Sequence, residues 1–156
     1  VAFKITPGRL RFGMNLWPPF WAAGIRVLDI GANWRSARVR LRMHWFNRNY
    51  FGTHSGGSLY ALTDPFFALL IVESLGSEYI VWDKAAEIEF IKAVREPVYA
   101  ELKIDDVLLD SLRSEAASGA PVLRWLTCEV QTASGQCVAR VRKQVYVRLK
   151  PKRRHG

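Results

Sequence analysis

The chain has 156 residues, 49% hydrophobic and 24% charged, with a net charge of +9 and a pI near 10. That length fits one ordinary domain, which removes roughly two-thirds of its unfolded surface from water. The composition excludes a disordered or repetitive chain, since no Pro/Gly/Ser-rich stretch or internal repeat interrupts it.

The longest apolar run, Phe66 to Val72, is far short of the roughly 20 residues of a membrane span. Nothing resembles a signal peptide, so a soluble cytoplasmic protein without a membrane span is the expectation. Cys128 and Cys137 match neither a zinc knuckle nor a redox pair and read as reduced core or strand residues. The positive charge calls for a polyanion, and nucleic acid, anionic lipid and nucleotide-bearing cofactors all qualify. Part of it sits in Pro151 to Gly156, which reads as a solvated basic tail.

Thr6-Pro7 is a helix start, and the spacing predicts a short amphipathic helix ending near Trp17-Pro18-Pro19-Phe20-Trp21. There two prolines stop the helix and three aromatics need cover, from the sheet or from a neighbouring subunit. Ile25 to Ile30 reads as a strand, followed by a turn at Gly31-Ala32-Asn33. Ala37, Val39, Leu41, Met43 and Trp45 then alternate with Ser36, Arg38, Arg40, Arg42 and His44, a strand with an exposed arginine face.

Leu59, Leu62, Phe66, Leu69, Leu70, Val72 and Leu75 follow at helical spacing, ending at Gly76. Phe67, Ala68 and Ile71 fill other faces, so this helix is expected to be buried nearly all round, as a helix wrapped by a sheet would be. Four strands complete the pattern: Ala86 to Phe90, Val98 to Ile104, Leu123 to Thr132 and Gln136 to Leu149. In the last, Ala139, Val141, Lys143, Val145 and Val147 oppose Arg140, Arg142, Gln144, Tyr146 and Arg148. Asp106 to Ala117 fits a helix or an irregular crossing. The order gives an α+β fold with one central helix and no demand for a parallel sheet.

Unusual chemistry concentrates between Asn49 and Pro65. Gly56-Gly57 at a helix start leaves free N–H groups for an oxyanion or phosphate, or else eases helix-to-sheet packing. Asp64 is an acid in an apolar helix, which marks either a site or a local N-cap ahead of Pro65. Histidines at 44, 54 and 155 give no metal-ligand spacing, so no metal is expected. His54 reads equally well as a satisfied loop residue. Trp82-Asp83-Lys84, placed ahead of the third strand, fits a turn, a subunit contact or part of the site.

Asn49, Gly52, Gly56-Gly57 and Asp64 stand at the spacings of the motif in hotdog-fold thioesterases of the phenylacetate-degradation type. The chain resembles more closely an uncharacterised bacterial branch, a domain of unknown function in which Asp-Pro and a later Val-Trp-Asp-Lys recur, here Val81 to Lys84. The likeness spans roughly Trp17 to Leu149, and its specific part is Asn49 to Pro65. Where the thioesterase pattern has His before the two glycines, this sequence has Ser55, with His54 one place earlier.

The resemblance implies a hotdog fold: a curved antiparallel sheet around one long central helix. Its single domain would span 1–150, with 1–22 as an N-terminal helical extension and 151–156 as the tail. It implies an acyl-CoA or other acyl thioester hydrolase, with Asp64 as general base, Gly56 and Gly57 amides as oxyanion donors and Asn49 orienting water or the thioester oxygen. Substrate contacts would fall to Gly52, His54, Ser55, Gly56 and Ser58, with Thr63 as a further hydrogen-bond donor. Coenzyme A enters only as part of the substrate.

Seven residues of helix span roughly 10 Å, so Gly57 and Asp64 of one chain do not easily meet at one carbonyl. A homodimer or homotetramer sharing its sites between subunits is therefore expected. Two other readings stand beside hydrolysis: a non-catalytic module binding acyl-CoA or acyl-carrier protein, and a basic nucleic-acid binder. The latter lacks an aromatic-basic interleaving that the sequence places on one surface.

Overall fold

The computed structural model describes residues 4–151. Thr6 caps the first helix, α1 (Pro7–Leu16), its hydroxyl accepting from the Arg9 amide. The two prolines that end α1 also begin a second short helix, α2 (Pro18–Ala23), because proline's fixed φ suits the first helical turn. The expected single helix is thus two.

Strands β1 (Ile25–Ile30) and β2 (Ser36–Leu41) form an antiparallel pair around the predicted turn. β2 stops at Leu41, well before the expected Trp45. The Asn47 side chain donates to the Arg42 and Ala23 carbonyls and accepts from the His44 amide, which folds 42–47 into a loop off the sheet. Trp45 and Phe46 are therefore exposed.

The central helix comes in two segments, α3 (Gly56–Ala61) and α4 (Phe66–Leu75), joined by a turn at 62–65. The Asp64–Pro65 peptide is cis. Leu59, Leu62, Phe66, Phe67, Leu70 and Ile71 of this unit are buried, and Gly76 closes it with φ +102°. Taken together, Gly56–Leu75 is long and apolar enough to cross a membrane. In this fold one face of it lies against the sheet, where truncating Phe66 to alanine would cost about 3–5 kcal/mol, while Ala68, Leu69 and Val72 are only partly buried, so the helix is not covered all round as expected.

Next come β3 (Tyr79–Phe90), β4 (Val98–Lys103), α5 (Asp106–Ala116), β5 (Val122–Thr132) and β6 (Cys137–Leu149). The crossing at 106–116 is a helix, N-capped by Asp105 through the Leu108 amide. One six-stranded antiparallel sheet results, in the order β1-β2-β4-β5-β6-β3, wrapped around α4. This is the α+β hotdog fold.

The two sheet edges are treated differently. Along β1, Asn15 of α1 exchanges both hydrogen bonds with the Val27 backbone, at 2.8 and 3.0 Å, so the helix closes that edge. β3 is longer than expected, and among the described residues it has no partner on its outer side. Trp82, Asp83 and Lys84 lie inside it, with a bulge between Asp83 and Ala85. Of the predicted tail, 152–156 lies outside the described residues. Cys128 is buried and Cys137 half-buried, both as free thiols, and burial pushes the Cys128 thiol up to about 12.

Candidate active site

The stretch from Asn49 to Ser55 is a tight loop organised by one side chain. The Asn49 carbonyl oxygen accepts from the amides of Phe51 and Thr53, and its amide nitrogen donates to the Thr53 hydroxyl and the His54 carbonyl. Gly52, at φ +73°, lets the chain turn back, its amide donating to the backbone carbonyl of Asn49 rather than to the side chain. The polar groups of Asn49 are thus engaged within the loop.

His54 is only 5% exposed, and its Nε2 lies 2.7 Å from the Glu96 carbonyl, to which it donates. Burial lowers its pKa against the opposing pull of that bond, which keeps the ring neutral. This histidine anchors the loop to the segment ahead of β4. Thr63 is fully buried and donates to the Tyr60 carbonyl, closing the turn after α3.

Ser55 is the N-cap of α3 in extended conformation, without a capping bond from its side chain. Gly56 and Gly57 occupy the first turn, whose amides have no intrahelical acceptor. They differ in what surrounds them. A Cβ on Gly56 would lie 2.9 Å from the Phe90 ring, whereas one on Gly57 would meet only the Ser55 hydroxyl, at 3.9 Å. Beside this helix start runs a groove of about 460 Å³, lined by Asn49, His54, Gly56, Leu59, Phe90 and Val94 among others.

Asp64 is not in that groove. Its Oδ1 accepts from Lys143 Nζ at 2.6 Å, and the same ammonium donates to Asp83 Oδ2 at 2.6 Å. Lys143 is fully buried on the inner face of β6, in register with Ala86 and Leu126, with the Tyr60 ring 5.3 Å from its charge. Burial alone would lower the lysine's pKa, but the hydrogen bonds and charges of Asp64 and Asp83 outweigh it and hold it above the usual value. Asp83 reaches inward because the bulge at Lys84 restores the inner face one residue later, at Ala86. Its other oxygen, Oδ1, is buried without a partner among the described residues.

Asp64 therefore does not cap α4, whose N-cap is Pro65. It presents a carboxylate that is 46% exposed yet pinned by a cation with no exposure. The structure brings Asn49, His54 and Gly56 to one groove and sets Asp64 with Lys143 and Asp83. Lys143 was missed from the sequence, although a lysine in the apolar row of β6 was the signal. A larger groove, about 760 Å³, lies between α1 and the outer faces of β1 and β2 and holds none of these residues.

Comparison with known proteins places this geometry in context. The family described as a domain of unknown function, DUF4442, matches residues 9–147. Among solved structures, a Pseudomonas aeruginosa protein of unknown function, called a probable thioesterase, superposes with a TM-score of 0.80 at 18% identity, covering 92% of this chain and 96% of that one. A thioesterase from Haemophilus influenzae gives 0.68 at 14% identity, covering 97% and 96%. A protein of unknown function from Chlorobaculum tepidum gives 0.72 at 13%, covering 94% and 98%. No curated protein matches the chain. At these identities the structural likeness is one of fold, the hotdog fold, and the sequence match supplies the family: the chain belongs to the DUF4442 family.

Proposed function

We propose that this protein hydrolyses acyl thioesters, with acyl-CoA as the substrate class. The observation that carries the reading is Asp64: a half-exposed carboxylate at the break of the central helix, held by a buried ammonium 2.6 Å away. A base held in one orientation, with part of its surface open, suits proton abstraction from water. Water then adds to the thioester carbonyl while Asp64 takes its proton, and as the C–S bond breaks Asp64 gives that proton to the leaving sulfur, releasing the thiol and the acid. The amides of Gly56 and Gly57 are the proposed oxyanion donors. No metal or further cofactor enters this scheme.

The groove at Gly56 and the Asp64 carboxylate lie apart, which supports a site shared between two chains. The outer edge of β3 supports a pairing surface for the second copy: it is unpaired among the described residues, and Trp82, Phe90 and the following Ile91 are exposed. Phe90 covers Gly56, so an interface there would also shape the groove.

A second reading rests on the loop. With the polar groups of Asn49 and the Nε2 of His54 engaged internally and Ser55 where the thioesterase pattern has histidine, the protein would bind acyl-CoA or an acyl-carrier thioester without cleaving it. Free-thiol release from short, medium, long and aromatic acyl-CoAs, by wild type and Asp64→Asn in parallel, separates the two. Asp64-dependent release establishes the hydrolase. Tight binding with no release establishes the binding module.

A further inference from the structure

The larger groove has a composition that the thioester site does not use. Arg11, Arg26, Arg40 and Arg42 line it, with no carboxylate among the lining residues. The contrast with the other end of the sheet is informative. There the outer-face arginines of β6 are neutralised across strands, Arg140 by Glu89 and Glu129 and Arg142 by Glu87. Arg26, Arg40 and Arg42 have no such ion pair among the described residues, and Arg40 Nε is buried without a hydrogen-bond partner.

Apolar side chains border these charges. α1 turns Leu10 and Met14 inward, while Phe12 and Leu16, four residues apart, stay outward and line the groove. Phe12 is 69% exposed, and Trp21 of α2 stands at 60% beside it in the groove wall. Trp45 and Phe46 are exposed in the loop that Asn47 ties to the end of α2. Sequence-distant segments thus build one face that is both cationic and apolar.

We propose that this face, formed by α1, α2 and the outer side of β1 and β2, binds the surface of an anionic phospholipid bilayer. The outward stripe of α1 suits hydrocarbon at the headgroup boundary, indole rings favour that boundary, and the arginines meet lipid phosphates. A second copy fits less well, since a two-fold contact would set four arginines against four. Nucleic acid would use the arginines and the aromatics but leave Leu16 without a partner. The inference is independent of the thioesterase reading.

Vesicle flotation tests it, with phosphatidylcholine alone and with an equimolar mixture of phosphatidylcholine and phosphatidylglycerol. Wild type should float with the anionic vesicles only. The double variant Arg26→Ala/Arg42→Ala should bind them about thirtyfold more weakly, and Phe12→Ala/Leu16→Ala should also lose binding. In both, circular dichroism and thiol release from acyl-CoA should stay unchanged. Equal flotation with neutral vesicles, or binding indifferent to both double variants, overturns the proposal. So does conversion of an oligomer to smaller species by Phe12→Ala/Leu16→Ala, which assigns the face to a second copy. Displacement from vesicles by a stoichiometric duplex oligonucleotide assigns it to nucleic acid instead.

Discussion

Lys143 Nζ stands 2.6 Å from Asp64 Oδ1, and while half of the aspartate side chain meets solvent, none of the lysine does. That asymmetry predicts two different mutants. Lys143→Met leaves Asp83 and Asp64 without their cation and should cost about 3 kcal/mol, because a buried carboxylate is then uncompensated. Asp64→Asn leaves Lys143 paired with Asp83 and removes a half-exposed partner, so its cost should be about 1 kcal/mol. Urea unfolding of both measures the difference. Loss of turnover in a stable Asp64→Asn protein marks chemistry; equal destabilisation in the two variants would make Asp64 a structural residue.

The same lysine sets an alkaline limit. Its folded pKa is raised above the ordinary 10.5, so the folded state holds the proton more tightly than the unfolded chain does. The stabilisation is therefore complete below that value and is lost as pH rises from it through the folded one. Stability measured upward from pH 10 should fall in the wild type, and the part due to this ammonium should be missing in Lys143→Met.

His54 works in the opposite direction and at the other end of the scale. Burial lowers its pKa from 6.5, so below that pH the unfolded chain takes up a proton that the folded ring refuses. Stability should decline as pH falls below 6.5 and level off for this group once the folded ring protonates. His54→Gln keeps a donor for the Glu96 carbonyl and cannot titrate. Its stability should show a shallower acid limb, while thiol release near neutral pH stays within a few-fold of wild type if the ring only anchors the loop.

These side chains show where sequence reading succeeds and where it stops. Alternation marks a strand when one face is buried, so β1 and β6 follow directly from their residues, and the apolar spacing around Phe66 and Leu70 gives the central helix. β2 ends early for a reason its own pattern does not carry, namely the grip of Asn47 on Arg42 and Ala23. The glycines and Asp64 were legible as unusual residues. The partners that define them were not: Glu96 lies 42 positions from His54, and Lys143 lies 79 from Asp64. Pairings so remote in sequence are fixed by the sheet order and by the bulge that turns Asp83 inward.

At the helix start, Gly57 offers a test of the oxyanion amide that spares the fold. Alanine at 57 keeps the N–H and enters open space, so activity should stay within a few-fold. Proline at 57 removes the N–H without breaking an intrahelical bond, because first-turn amides have no intrahelical acceptor, and two successive prolines at the start of α2 show that this helix position tolerates it. Gly57→Pro should lower kcat by about 100-fold or more if that amide stabilises the oxyanion. A Gly57→Pro enzyme with wild-type kcat would remove this amide from the mechanism.

Sharing of the site between chains makes the strongest prediction, because two nearly inactive proteins should make an active one. Asp64→Asn lacks the base and Gly57→Pro lacks one of the two oxyanion donors, so both homodimers should be reduced about 100-fold or more. After mixing under conditions that exchange subunits, half of the dimers carry one variant of each kind, and each of these has one site built from an intact glycine pair and an intact Asp64. Activity should return to about a quarter of the wild-type value. The exposed side chains along β3 should be needed for this, so Phe90→Glu should yield smaller species by light scattering and abolish both parental and restored activity. If mixing restores nothing although subunit exchange is shown by mass, Asp64 and Gly57 act within one chain, and the groove at Gly56 must be closed by a movement of the central helix rather than by a partner.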